Sequence, residues 1–122
     1  MDNLELEVIN ILRELGIPAH IKGYRYIITA IKYLKDNPSA IYAMTKELYP
    51  GVSKILNEDI KGHRIERGIR HALSLSTFND ATWYRILGRT GPMTNTNFLA
   101  TVVEAIKVKM ASNPDKSEGA HP

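Results

Sequence analysis

One stretch limits the possible folds of this chain more than any other: His63-Arg64-Ile65-Glu66-Arg67-Gly68-Ile69-Arg70-His71-Ala72-Leu73. Set on a wheel at about 100° per residue, it splits into two faces. One arc carries His63, Arg64, Glu66, Arg67, Arg70, His71 and Ser74, and the opposite arc carries Ile65, Gly68, Ile69, Ala72, Leu73 and Ser76. Leu75 alone is out of place. The pattern predicts a helix over about 62–76 that docks its apolar stripe on a core. The other face offers arginines, one carboxylate and two imidazoles to a partner. A surface helix held by Arg–Glu pairs, each worth about a few tenths of a kcal/mol, is the plainer reading. The charge imbalance counts against it, because a helix tuned for its own stability would mix its signs. Lys61, Arg64, Arg67 and Arg70 face a single acid, Glu66, within 61–71. That composition suits the major groove of DNA, where Arg pairs with guanine O6/N7 and a carboxylate accepts from cytosine N4. The competing reading is a helical protein–protein module, because arginine is also favoured at protein interfaces and a basic helix can dock on an acidic partner.

What precedes this helix favours DNA. Ser53-Lys54-Ile55-Leu56 reads as the end of a short helix that starts after Pro50-Gly51. Asn57-Glu58-Asp59-Ile60-Lys61-Gly62 is then a polar connection, with Asp59 or Lys61 near the next N-terminus. Short helix, turn and longer basic helix is the order of a helix-turn-helix. Lys61 and His63, at the helix entry, are candidate contacts to the DNA backbone.

The remaining elements also read as helices, so the expected fold is all-α, a bundle of about six helices. Asp2-Asn3-Leu4-Glu5 is a capped start, and Leu4, Val8, Ile11, Leu12 and Leu15 follow one stripe until Gly16 and Pro18 stop it. A second helix has the expected core face Tyr24, Ile27, Ile28, Ile31 and Leu34, and Asn37-Pro38 ends it. Ser39 is expected to cap a third helix through Ile41, Met44 and Leu48, with Tyr49-Pro50-Gly51 as its stop. The short fourth helix offers Val52, Ile55 and Leu56 to the core. Asn79-Asp80 opens another short helix through Trp83, Ile86 and Leu87, closed by Gly88. Thr94 to Asn97 supply caps for a last helix with the stripe Phe98, Val102, Ala105 and Ile106. Leu99 and Val108 fall off that stripe and leave more apolar surface than one domain needs. Residues 1–111 are expected to form one domain and 112–122 a disordered tail, which is polar and without period.

The residues support a named resemblance. Arg64-Ile65-Glu66-Arg67-Gly68-Ile69-Arg70-His71-Ala72 resembles the recognition helix of the sporulation stage-zero master response regulator family of endospore-forming bacteria, in its C-terminal effector domain. Gly16-Ile17-Pro18-Ala19-His20-Ile21-Lys22-Gly23-Tyr24 resembles the segment near that domain's start. Thr45-Lys46-Glu47-Leu48-Tyr49-Pro50 resembles the run entering its helix-turn-helix, and Met93-Thr94-Asn95-Thr96-Asn97-Phe98-Leu99-Ala100 the entry to its last helix. The matches follow the family's order over roughly residues 3 to 110. The resemblance implies a non-enzymatic transcription regulator of double-stranded DNA that reads a short box of the TGTCGAA type, often in tandem copies. By the same resemblance Arg67 and Arg70 read guanines, Glu66 accepts from cytosine, Arg64 helps at base or phosphate, and His71 sits near the backbone. His20 and Lys22 become candidate phosphate contacts, at a helix entry whose amides suit phosphate. Self-association on tandem sites through the last helix and contact with the RNA polymerase sigma subunit are implied partners. The family's regulator also carries a receiver domain phosphorylated on an aspartate, and nothing in these 122 residues is expected to form one. Two departures stand out: the connection from Asn57 to Arg64 is longer than the family pattern by two residues, and Gly68 stands where alanine is usual. A close approach to another helix would explain Gly68.

Other chemistries find little support. The chain has no cysteine, hence no disulfide or thiolate site. His63 and His71 lie too far apart along a helix to share a metal, so neither a metal nor a cofactor is expected. Arg89-Thr90-Gly91-Pro92 lacks the strand before it and the Gly-Lys-Ser/Thr after it that a phosphate loop needs. No run is apolar enough to cross a bilayer, and a cytoplasmic location is expected. The formal charge of +3 is modest, so the basicity is local to the helix, as a groove-binding surface requires.

Overall fold

A computed structural model describes residues 2–91 and 93–112. Among them the fold is all helical: α1 (Asn3–Glu14), α2 (Lys22–Asp36), α3 (Tyr49–Leu56), α4 (Gly62–Ser74), α5 (Asp80–Leu87) and α6 (Asn95–Ser112). The polar tail expected from 112 lies, past Ser112, outside the described residues. No helix among those described is long and apolar enough to cross a membrane.

Local chemistry accounts for the element ends. Asp2 caps α1 by accepting the Glu5 N–H at 2.7 Å. Asn79 caps α5 by accepting from the Thr82 N–H at 3.1 Å. Gly16 and Gly88 follow α1 and α5 in the left-handed region, at φ 73° and 74°, where a side chain would strain the backbone. The expected core stripe of α1 is buried along its whole length.

α2 is the central strut, with α1, α3, α4 and α6 all packed on it. Its buried line is Gly23, Tyr26, Ile27, Ala30, Ile31 and Leu34, while Tyr24 and Ile28 are only half-buried. The expected face is therefore turned. Small residues admit neighbouring backbones closely, and a reading that follows only large apolar side chains misses them.

The segment before α3 also differs from expectation. Pro38–Tyr42 is a 3-10 helix, and Met44–Leu48 is a π-helical turn running directly into α3. Tyr49-Pro50-Gly51 therefore opens a helix instead of closing one. Proline has no N–H to lose in a first turn, and its fixed φ suits a helix start. The widened turn places its carbonyls in register with donors five residues on, as in the Leu48 N–H to Ala43 carbonyl bond at 3.1 Å. Within α3, Tyr49 and Val52 are buried, whereas Ile55 stands half exposed at 50 %.

Around Trp83 the helix ends are sewn together. Its indole Nε1 donates to Ser76 Oγ at 3.0 Å, and Ser76 Oγ donates in turn to the Leu15 carbonyl. The ring meets Phe98 of α6 at a centroid distance of 5.8 Å. Leu99 is fully buried, against expectation. α6 packs against α1 and α2 and also against α4 and α5, so its buried arc is wider than one stripe.

Three proton equilibria contribute to the alkaline stability. The hydrogen bond from Lys32 to Glu5, at 2.9 Å, raises the ammonium pKa above its ordinary 10.5. Burial, and then the bond to Glu47, raises Tyr33 above 10.0. Burial raises Tyr49 in the same direction. A folded-state pKa above the unfolded value means the fold holds the proton more tightly. The stabilisation is fully present below the unfolded values and is lost as pH rises through the folded ones. Thermal melts between pH 8 and 12 are expected to show Tm falling from about pH 10 upward, with a shallower fall in Tyr49→Phe. A flat profile to pH 12 would contradict these shifts.

Candidate nucleic-acid interface

α4 is docked as its sequence stripe requires. Ile65, Ile69 and Ala72 are buried, while His63, Arg64, Arg67, Arg70, His71 and Ser74 are exposed. Glu66 is half-buried. The docking is unusually close because α2 and α4 meet glycine to glycine. A Cβ placed on Gly23 would lie 2.0 Å from the Gly68 carbonyl oxygen, and one on Gly68 would lie 2.9 Å from the Tyr26 ring. That accounts for Gly68, whose helix-propensity cost of about 0.5–1 kcal/mol is offset by the approach it permits.

Before α4 lies a turn of five residues, Asn57–Lys61, one or two more than the usual helix-turn-helix connection. It is nevertheless fastened. Asn57 takes the left-handed conformation at φ 55°, which asparagine tolerates better than most residues, and ends α3. The Glu58 N–H donates to the Ser53 carbonyl at 3.2 Å. Ser53 Oγ donates to the Glu58 carbonyl and accepts the Ile60 N–H at 3.2 Å. The Glu58 carboxylate pairs with Arg25 of α2 at 3.1 Å. Lys61 occupies the N-cap position of α4 with no side-chain cap, so the first amides of α4 have no capping side chain.

The site residues named from the sequence fall into three neighbourhoods. Lys22, at the start of α2, and Arg64 line one cleft with Tyr26, Glu58, Asp59 and Ile60. His63 lines a second groove with Lys54 and the same turn. Glu66 and Arg70 line a third with Tyr49, Thr94, Asn95 and Thr96. Arg70 and Glu66 form an ion pair at 2.8 Å, with the arginine 63 % exposed. Arg67 stands on the open face of α4, and His71 in its last turn. His20 is exposed in the turn ahead of α2, two positions before Lys22.

Two features were not foreseen. Asn95, expected only as a cap, is buried and donates from Nδ2 to the Glu66 carbonyl at 2.9 Å, tying the start of α6 to the middle of α4. The same amide lies 3.4 Å from the Tyr49 hydroxyl of α3. An asparagine at a helix start looks like a cap, and nothing local marks its longer-range bond. The second is the Arg25–Glu58 pair, whose partners lie far apart in sequence. Taken together, the site is a two-faced helix with a basic outer face, held by α2 beneath, the turn on one flank and α6 on the other. The family model described as sporulation initiation factor Spo0A C terminal matches this chain over residues 8–106, from within α1 to within α6.

Proposed function

The chain belongs to the Spo0A C-terminal family of DNA-binding sporulation regulators, and we propose that it is a sequence-specific transcription regulator that lays α4 in the major groove. The observation that carries this reading is the exposed face of α4, where Arg64, Arg67 and Arg70 project from a helix whose opposite side is clamped to α2. Arg67 and Arg70 read guanines, Glu66 accepts from cytosine, and Arg64 serves base or phosphate. Lys22, Lys61, His63, His71 and His20 hold the backbone, which positions the domain without reading sequence. The target is a box of the TGTCGAA type.

Free Arg70 is engaged by Glu66, so box binding exchanges that pair for base contacts. Exposed pairs of this kind are worth about 0–1 kcal/mol, so the exchange costs little against about 1–3 kcal/mol for a bidentate base contact. Self-association on tandem boxes through α6 is part of the proposal. Its support is Val108, 61 % exposed near the end of α6. Cooperative filling of tandem boxes, absent on single boxes, is its readout. Contact with the RNA polymerase sigma subunit rests on the family resemblance alone, and its readout is co-elution with purified sigma subunit.

Fluorescence-anisotropy titration of a TGTCGAA-type duplex against a scrambled duplex tests the central reading. A box preference of about a hundredfold or more, with affinity falling as salt rises, is expected. Equal binding to both would show that the longer turn has changed what α4 reads. No binding at low salt would leave the basic face as a protein-docking surface for an acidic partner.

A further inference from the structure

We infer that Asp59, in the lengthened turn, is a built-in brake on phosphate affinity. The inference rests on the DNA reading above and adds a repulsive element to it. Asp59 lies in the same cleft as Lys22 and Arg64, and it also borders the groove of Lys54 and His63. It therefore stands between Lys22, Arg64 and His63, which the reading above assigns to the DNA, and the neighbouring Lys54. Its neighbour Glu58 is neutralised by Arg25 at 3.1 Å, whereas Asp59 makes no ion pair among the described residues. The backbone on either side of this carboxylate is held, which keeps the residue at the mouth of both clefts. Glu58 is bound through its N–H and carbonyl to Ser53, and Ile60 is bound through its N–H to Ser53 Oγ. An exposed negative charge beside three cations, Lys22, Lys54 and Arg64, subtracts from the sequence-independent electrostatic term that dominates binding to any duplex. Weakening that term lowers affinity for every duplex alike, so sites that lack the base contacts stay empty at protein concentrations that still fill the box, while the ratio of the two affinities is unaltered.

The test uses the whole chain with box and scrambled duplexes at 50 mM salt. Asp59→Asn is expected to tighten binding to both by about threefold, and Asp59→Lys by about tenfold. The gain shrinks as salt rises, and Asp59→Lys steepens the log–log salt dependence by about one unit. The ratio of box to scrambled affinity stays unchanged. Because the expected effect is a gain, a folding defect cannot imitate it. Melting curves of each variant also register any loss of the favourable interaction between this acid and the N-terminus of α4. Unchanged affinity in both variants would overturn the inference by placing the carboxylate out of reach of phosphate. Weaker binding to the box alone would overturn it by making Asp59 a base-reading acceptor. In both cases wild-type box preference would stand, whereas wild-type protein that binds neither duplex would remove the DNA reading itself.

Discussion

Arg67→Ala is expected to weaken binding to a TGTCGAA-type duplex by about tenfold to a hundredfold, while affinity for scrambled DNA changes by no more than about threefold. The range follows from the loss of one bidentate arginine–guanine contact, about 1–3 kcal/mol. Arg67 is the cleanest position at which to ask the question. Its side chain is exposed and makes no ion pair among the described residues, so truncation leaves the core and the charge pairs intact. Alanine is at least as good a helix former as arginine, so stability is expected to stay within about 0.5 kcal/mol of wild type. Arg70→Ala is less clean, because it also releases Glu66 from their 2.8 Å pair and leaves an uncompensated carboxylate facing the DNA. Box and scrambled affinities are read by anisotropy, and folding by circular dichroism. An equal loss on both duplexes would assign Arg67 to phosphate and require another residue to carry specificity.

The sequence pattern was most informative where a single period decided the outcome. The α4 stripe, the α1 stripe, the Asp2 and Asn79 caps and the stops at Gly16 and Gly88 can all be read from neighbours three or four residues apart. In the same way, the exposed face of α4 follows directly from its buried face. What was not legible depends on contacts made across the fold. The turned face of α2 follows from Gly23, Tyr26 and Ala30, whose burial depends on which neighbouring helices approach them and not on the helix's own pattern. Leu99 is buried because α6 has neighbours on two sides, a fact about the bundle and not about the helix. Tyr49-Pro50-Gly51 carries the composition of a helix stop, yet proline serves equally well in a first turn, and only the π-helical turn ahead of it decides between the two. Asn95 and the Arg25–Glu58 pair join residues 29 and 33 positions apart, beyond any local pattern. The site therefore divides: the outward-facing side chains, the docking stripe and the close approach at Gly68 were readable, whereas Gly23, Asn95 and the Arg25–Glu58 pair, which also set the pose of α4, were not.

Gly23→Ala tests that pose directly, and it is expected to destabilise the domain by about 2–3 kcal/mol. Two effects oppose each other. Alanine gains at most the roughly 0.5–1 kcal/mol seen in a helix interior relative to glycine, and Gly23 sits in the first turn of α2. Against this, the new Cβ would sit 2.0 Å from the Gly68 carbonyl oxygen and 2.8 Å from the Ala72 Cβ. Overpacking costs about 1–3 kcal/mol when side chains can adjust, and occasionally more. Here the nearest atom is backbone in the middle of α4, so no rotamer change relieves the contact and the helix itself must move away. The clash outweighs the propensity gain. For a domain of this size the loss corresponds to a fall in Tm of about 10 °C. Gly68→Ala, on the other side of the same crossing, is the control. Its Cβ would meet Tyr26 ring atoms at 2.9 Å, a side chain that can shift slightly, so propensity nearly balances the contact and stability stays within about 1 kcal/mol of wild type. The two variants also separate in function. Gly23→Ala tilts or lifts α4 and should lose box preference even at temperatures where it remains folded, whereas Gly68→Ala should keep it. A Gly23→Ala protein as stable and as selective as wild type would show that α4 does not depend on the glycine crossing for its pose. In that case the Asn95 bond and the Ser53-fastened turn would have to hold the helix in place on their own.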